Sequence, residues 1–288
     1  MTHRDDAAPK DPASGRSDDH CYRHPDRTSY VLCQRCARTV CGDCQTQAPV
    51  GVICPECMAA DRRTAPKVRR SRFGADAPVV TYGLMAVIGV VYLAQFVTQR
   101  LGFPILDALG IYTSGYTDLQ HGVYEPWRML TSALLHGSWW HVAMNALTIW
   151  IFGRALEPAI GRLRFILLLI ASALGGSFAV ALLAPNVWVL GASGAAFGLI
   201  GAWFVVLRTM RADVTPMIVL IGINVVMAFV NPMISWEAHL GGALVGAASM
   251  ALMVRDQRRA LKSRAAVWGM IAIAVACVVL ASVVGALR

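Results

Sequence analysis

From Pro78 onward, long apolar runs alternate with short polar breaks, a rhythm missing from the first 77 residues. A helix needs about 20 apolar residues to cross the hydrocarbon core of a bilayer. The runs at 78–98, 139–156, 163–184, 192–208, 214–231, 236–254 and 266–286 meet or approach that length. The pattern predicts an all-α polytopic membrane protein with seven spans. Segment 100–138, with Pro104, Pro126 and several aromatics, is too long for a tight turn and is expected to lie partly in the interface.

Composition agrees: 56% of residues are hydrophobic and only 15% charged, where a soluble domain has nearer a quarter charged. The net charge of +9 raises nucleic-acid binding, but the basic residues flank the apolar runs. Counted by alternate loops, 23 of the 26 lie on one side together with the N-terminal head. The other side holds Arg100, Arg128 and Arg288. Basic loops stay cytoplasmic, so the head is expected inside and the C-terminus outside. The N-terminus lacks the apolar stretch of a signal peptide. Arg outnumbers Lys and Ala and Gly abound, a bias that suggests a GC-rich bacterial genome, so the membrane expected is a bacterial inner or plasma membrane.

The head divides further. Residues 1–19 lack periodicity and read as a disordered tail. Residues 61–77, with Arg62, Arg63, Lys67, Arg69, Arg70 and Arg72, form a basic linker suited to anionic lipid. Between them, residues 20–60 hold seven of the eight cysteines as Cys21-x2-His24, Cys33-x2-Cys36, Cys41-x2-Cys44 and Cys54-x2-Cys57. Eight ligands in four pairs suit two tetrahedral Zn²⁺ ions, and so short a module needs metal to fold. His20 is an alternative to His24, and a redox cluster is the alternative to zinc. The head can hold a protein partner or regulate substrate access.

Ionisable and amide groups inside spans are rare and usually functional, so His141, Asn145, Ser193 and His239 stand out. They open the second, fourth and sixth spans, which all run in the same direction, so the four share one depth below the outer surface. Independent packing residues have no reason to match in depth across three helices. His141 and Asn145, four apart, share a helix face. Gly191, Ala192 and Gly194 leave the Ser193 hydroxyl accessible. The alternative is packing alone, since Gly194, Gly198 and Gly201 resemble small-residue contact stripes. Both readings hold together if Gly242 and Gly246, on the His239 face, receive the Gly194–Gly198 face. Ser193 is then a candidate nucleophile and His239 its general base. No acidic third member suggests itself: Glu237 points elsewhere and Glu157 lies at the opposite end of its span. His141, Asn145 and the Ser193 amide can donate to an oxyanion. His136 lies just before them, and His136-x4-His141 lacks the glutamate and spacing of a zinc protease.

Together these residues resemble the rhomboid family of intramembrane serine proteases. The match runs from Trp127-Arg128 through His136-x4-His141-x3-Asn145 and Gly191-Ala192-Ser193-Gly194 to Ala238-His239-x2-Gly242-x3-Gly246. It covers residues 78–254 as a six-helix core, with 266–286 as the added seventh helix some members carry. The resemblance implies Ser193 as nucleophile, His239 as base, an oxyanion hole of His141, Asn145 and the Ser193 amide, and no catalytic cofactor. Trp127 and Arg128 would order the first external loop. Substrates would be transmembrane helices of other proteins. The family often has Tyr four residues after the serine; here Phe197 keeps the ring and drops the hydroxyl. The head resembles B-box zinc fingers, which implies one ion on Cys21, His24, Cys41 and Cys44 and another on Cys33, Cys36, Cys54 and Cys57. The competing expectations are an inactive rhomboid-like adaptor and a transporter; the spans show no inverted repeat or charge pathway for the latter. No nucleic-acid partner is expected.

Overall fold

A computed structural model of the chain describes residues 19–48, 50–64, 77–118, 124–231, 234–258 and 264–287. Residues 1–18 of the expected disordered tail, and Lys67, Arg69, Arg70 and Arg72 of the linker, lie outside them. The chain divides into two compact units, Met1–Arg70 and Ser71–Arg288.

In the first unit β1 (His20–Cys21) pairs antiparallel with β2 (His24–Thr28), and β3 (Thr46–Gln47) with β4 (Val52–Ile53). Helix α1 (Pro55–Thr64) opens on a proline, which suits a first-turn position that has no N–H partner. It runs four residues into the stretch read as linker. The buried cluster consists of Cys21, Cys33, Val40, Cys41, Cys44, Val52 and Cys54. Only two of these are aliphatic.

In the second unit helices occupy all seven apolar runs: α2 (Val79–Arg100), α5 (Trp139–Ile160), α6 (Arg162–Leu183), α7 (Ser193–Thr209), α8 (Thr215–Val230), α9 (Trp236–Arg258) and α10 (Ala265–Ala286). Helices α2, α6, α9 and α10 are each long and apolar enough to cross a membrane. Helix α5 has 22 residues but carries Arg154 and Glu157, while α7 and α8 have 17 and 16. Segment 100–138 contains α3 (Ile105–Gly110), a 3₁₀ turn at Ser114–Thr117, and α4 (Arg128–Thr131). Near the ends where α5, α7 and α9 begin, Trp139, Trp140, Trp188 and Trp236 are exposed, the positions aromatic residues favour at a membrane interface.

Small residues bring α6, α7 and α9 together. A methyl group added at Gly242 would sit 2.1 Å from the Gly194 carbonyl oxygen, and one at Gly246 2.1 Å from that of Gly198. On the other flank, a Cβ at Gly241 would lie 2.3 Å from the Gly175 carbonyl oxygen. In lipid no hydrophobic force drives helices together, so such backbone proximity maximises dispersion contacts. The expected docking of the Gly194–Gly198 face on the His239 helix is therefore the geometry found.

At the other end of the bundle Glu157 is buried. Its carboxylate accepts from the N–H groups of Val80 and Thr81 and from the Thr81 hydroxyl, each at 2.8 Å. It thus satisfies the orphan donors at the start of α2. The residue excluded from catalysis by its depth ties α5 to α2.

Candidate active site and metal centres

Helix α7 begins at Ser193, and the first i→i−4 bond of that turn is made by Ala196 N–H to Ala192 at 2.9 Å. The N–H of Ser193, in the first turn, is therefore outside the helical ladder. The two amides before it are held by the preceding loop. Gly191 N–H donates to the Ser132 carbonyl at 2.8 Å, and Ala192 N–H approaches His136 Nε2 at 3.5 Å. Gly191 has φ +119°, a conformation that favours glycine, and a Cβ there would lie 2.6 Å from His141 Nε2. Glycine is needed both for the turn and for the approach of the His141 ring.

Ser138 caps α5, its Oγ accepting the His141 N–H at 3.2 Å. One helical turn later, Asn145 is buried and donates through Nδ2 to the His141 carbonyl at 3.1 Å. A second Nδ2 proton remains for another acceptor. Across the α7–α9 contact, the Phe197 and His239 rings stack with centroids 4.0 Å apart and planes 9° apart. Phe197 is one turn after Ser193, so the stack sets the His239 imidazole on the Ser193 face of α7. The structure thus brings Gly191, Ser193, Gly194, Phe197, His141, Asn145, His239, Gly242 and Gly246 to one end of the α5–α7–α9 group. Glu237 does turn elsewhere, accepting from Ser235 Oγ at 3.0 Å.

Arg128 is buried in the loop before α5. It pairs with Glu125, donates to the Ala108 carbonyl at 2.6 Å, and lies 3.9 Å from the centre of the Tyr116 ring. Trp127 gives its backbone carbonyl to the α4 turn and leaves its ring exposed. Sequence reasoning gave His136 no role beyond rejecting a zinc protease. It is 1% exposed and packs edge-on to His141, with ring centroids 5.1 Å apart. Its backbone N–H donates to Gln95 Oε1 at 3.0 Å. The available signal was Gln95 itself, an amide in the middle of an apolar run.

In the head, the ligand atoms of Cys21, His24, Cys41 and Cys44 lie within 4.8 Å of one another, as do those of Cys33, Cys36, Cys54 and Cys57. His20 is exposed and outside both groups. Cys36 and Cys54 sulfurs are 3.7 Å apart, and His24 Nδ1 lies 3.4 Å from the sulfurs of Cys41 and Cys44. Sulfurs bound to one tetrahedral zinc lie about 3.8 Å apart, whereas a disulfide needs about 2 Å. The donor set therefore fits two zinc ions. Burial alone raises the Cys33 thiol, but backbone amides, including Cys54 N–H, outweigh it and bring Cys33 down to about 6. Thiolate is the form a metal takes.

Comparison with known proteins identifies relatives of the chain. A model of the rhomboid domain matches residues 123–256. YdcA of Bacillus subtilis (strain 168), a protein of that group, is 36% identical over 188 residues, covering 63% of this chain and 92% of YdcA. Rhomboid protease GluP of the same organism is 35% identical over 193 residues, 62% of this chain and 36% of GluP. RHOMBOID-like protein 6, mitochondrial, of Arabidopsis thaliana is 33% identical over 129 residues, 42% of each chain. The chain spans nearly all of the first relative and well under half of the other two. With a described set of apolar membrane-length helices and a near full-length match to a rhomboid relative, the chain is a multi-pass membrane protein of the rhomboid family.

Proposed function

We propose that the protein is an active intramembrane serine endopeptidase that hydrolyses peptide bonds in or near transmembrane helices of other membrane proteins. The observation that supports this reading is the Phe197–His239 stack across the glycine contact, with Phe197 one turn after Ser193 at the start of α7. His239 removes the Ser193 hydroxyl proton as Oγ attacks the scissile carbonyl carbon. The carbonyl oxygen becomes an oxyanion, which receives the Ser193 N–H, a His141 ring N–H and the free Asn145 Nδ2–H. His239 then protonates the leaving amine, and water, deprotonated by the same ring, hydrolyses the acyl-enzyme. No cofactor enters these steps. A helical substrate must first open locally, because its carbonyls are otherwise held in i→i−4 bonds.

The same reading assigns residues 78–254 to the protease core, 266–286 to an added helix, and 20–60 to a zinc-binding module reached by a basic linker at 61–77. Cys21, His24, Cys41 and Cys44 would hold one Zn²⁺ and Cys33, Cys36, Cys54 and Cys57 the other, each structural. The basic loops put the head in the cytoplasm and the dyad in the extracytoplasmic leaflet.

A fluorophosphonate probe, which reports nucleophilic serine, tests the reading on purified protein. Wild type is expected to label, and Ser193→Ala and His239→Ala to stay unlabelled. His141→Ala and Asn145→Ala are each expected to slow cleavage of a transmembrane substrate about 10²–10³-fold. Wild type that neither labels nor cleaves would support the inactive adaptor instead.

A further inference from the structure

We infer that α10, the seventh transmembrane helix, positions Ser193 through a strut built from the loop between α2 and α5. The inference rests on Ser193 being the nucleophile. Near its C-terminal end α10 meets that loop twice. Ser282 Oγ hydrogen-bonds Tyr124 Oη at 3.0 Å, and Gly285 lies so close that a Cβ would be 2.8 Å from the Thr117 carbonyl oxygen. One and two turns earlier, Ala281 and Cys277 pack in a cluster with Tyr112 and Met129 of the loop and with Leu174 and Ala181 of α6.

The loop passes this support on. Tyr112 Oη hydrogen-bonds Thr117 Oγ1 at 3.2 Å, which ties the Gly285 contact to Tyr112. Tyr112 then forms an isolated antiparallel bridge with Val189, N–H to O distances being 3.1 and 2.8 Å. Thr113 Oγ1 and Ser114 Oγ both donate to the Pro185 carbonyl, at 2.9 and 2.8 Å. Pro185 and Val189 belong to the short connection between α6 and α7, and Val189 is four residues before Ser193. That connection enters α7 through Gly191 and Ala192, whose amides are also fixed by the loop side, at Ser132 and His136. The turn that presents the Ser193 hydroxyl and N–H is thus clamped from above by a loop that α10 holds down. Ser282, Gly285 and Tyr124 are positioning residues: none approaches the reacting atoms.

The test is the rate constant for fluorophosphonate labelling per folded molecule, measured beside kcat and KM for a transmembrane substrate. Gly285→Leu wedges α10 away from Thr117 and is expected to lower labelling rate and kcat about tenfold or more with KM little changed, since small displacements of reacting groups cost large factors. Tyr124→Phe removes the hydrogen bond to Ser282, and Ser282→Ala removes that bond together with the one Ser282 Oγ donates to the Val278 carbonyl within α10. Both leave packing intact, so they keep the test sound if Gly285→Leu does not fold. Each is expected to slow labelling severalfold, and Ser282→Thr to restore it. Wild-type labelling rates in Tyr124→Phe and Ser282→Ala, with any loss in Gly285→Leu matching only the loss of folded protein, would overturn the strut. Ser193→Ala run in parallel separates the two claims. If it labels like wild type, the nucleophile assignment fails and this inference with it.

Discussion

The two units of this chain solve the same problem with opposite chemistry. The head has almost no core of large aliphatic side chains, whereas the α6–α7–α9 group buries Phe165, Leu168, Leu199, Met250 and Met253 and yet makes its tightest contact through glycine. In the head, five of the seven clustered buried residues are cysteines, and Val40 and Val52 are the aliphatic remainder. So few apolar atoms do little to offset chain entropy, and metal held by the two Cys/His groups would supply the difference. In the helix group, Gly and Ala remove side chains where α7 and α9 meet, so stability comes from close backbone contact. The head would compensate for its small core with metal–ligand bonds; the helix group adds to its apolar core a seam in which backbones touch.

The largest effect expected from that contrast is on the head. Zinc bound at either Cys/His group would contribute about 10–16 kcal/mol of apparent binding energy. A strong chelator should therefore abolish amide-exchange protection across residues 20–60 while Ser193 labelling persists. Protection that survives chelation would break the comparison on the head side. Next comes Gly201→Leu, whose new Cβ would fall 2.1 Å from the Ala243 carbonyl oxygen. Backbone on both sides leaves nothing to yield, so a loss of about 3 kcal/mol or more is expected. Gly83→Leu, where nothing lies within 4 Å, should stay within about 0.5 kcal/mol. Equal thermal midpoints for the two variants would show that close contact is not what holds the bundle. Glu157→Gln removes one charged acceptor from buried donors and should cost about 1–3 kcal/mol, read as a lower midpoint with α2 losing protection first. Smallest is Phe197→Leu, which removes a ring stack worth about 0.5–1.5 kcal/mol and should slow labelling by up to about tenfold.

Much of this was legible in the residues because membranes restrict the alternatives. Apolar runs located the seven long helices α2 and α5 to α10 among the described residues, and polar residues within those runs drew attention to His141, Asn145, Ser193 and His239. The Gly194, Gly198, Gly242 and Gly246 spacings pointed to the α7–α9 contact. The segment 100–138 was not legible in the same way. Its turns are fixed by partners far along the chain, Tyr112 by Val189 and Arg128 by Ala108 and Ile111, and no periodicity announces such pairings. Glu157 was read by depth alone, because the donors it satisfies belong to a helix 76 residues away in sequence. His136 was visible through its spacing to His141 but was given no role, because its contacts with the Ala192 N–H and the His141 ring are made only by the folded loop.

The short length of α7 has one more consequence. At 1.5 Å per residue its 17 residues span roughly 25 Å, about 7 Å less than a 22-residue neighbour such as α6. Since α7 ends beside Arg208 at the basic end of the bundle, the shortfall falls at the serine end. Just before Ser193, Gly191 and Ala192 are held by the Ser132 carbonyl and the His136 ring of the loop. A hydrolase consumes one water for each bond it cuts, and hydrocarbon supplies none. If Ser193 hydrolyses peptide bonds as proposed, a helix that stops short at its serine end would bring that serine closer to the aqueous phase.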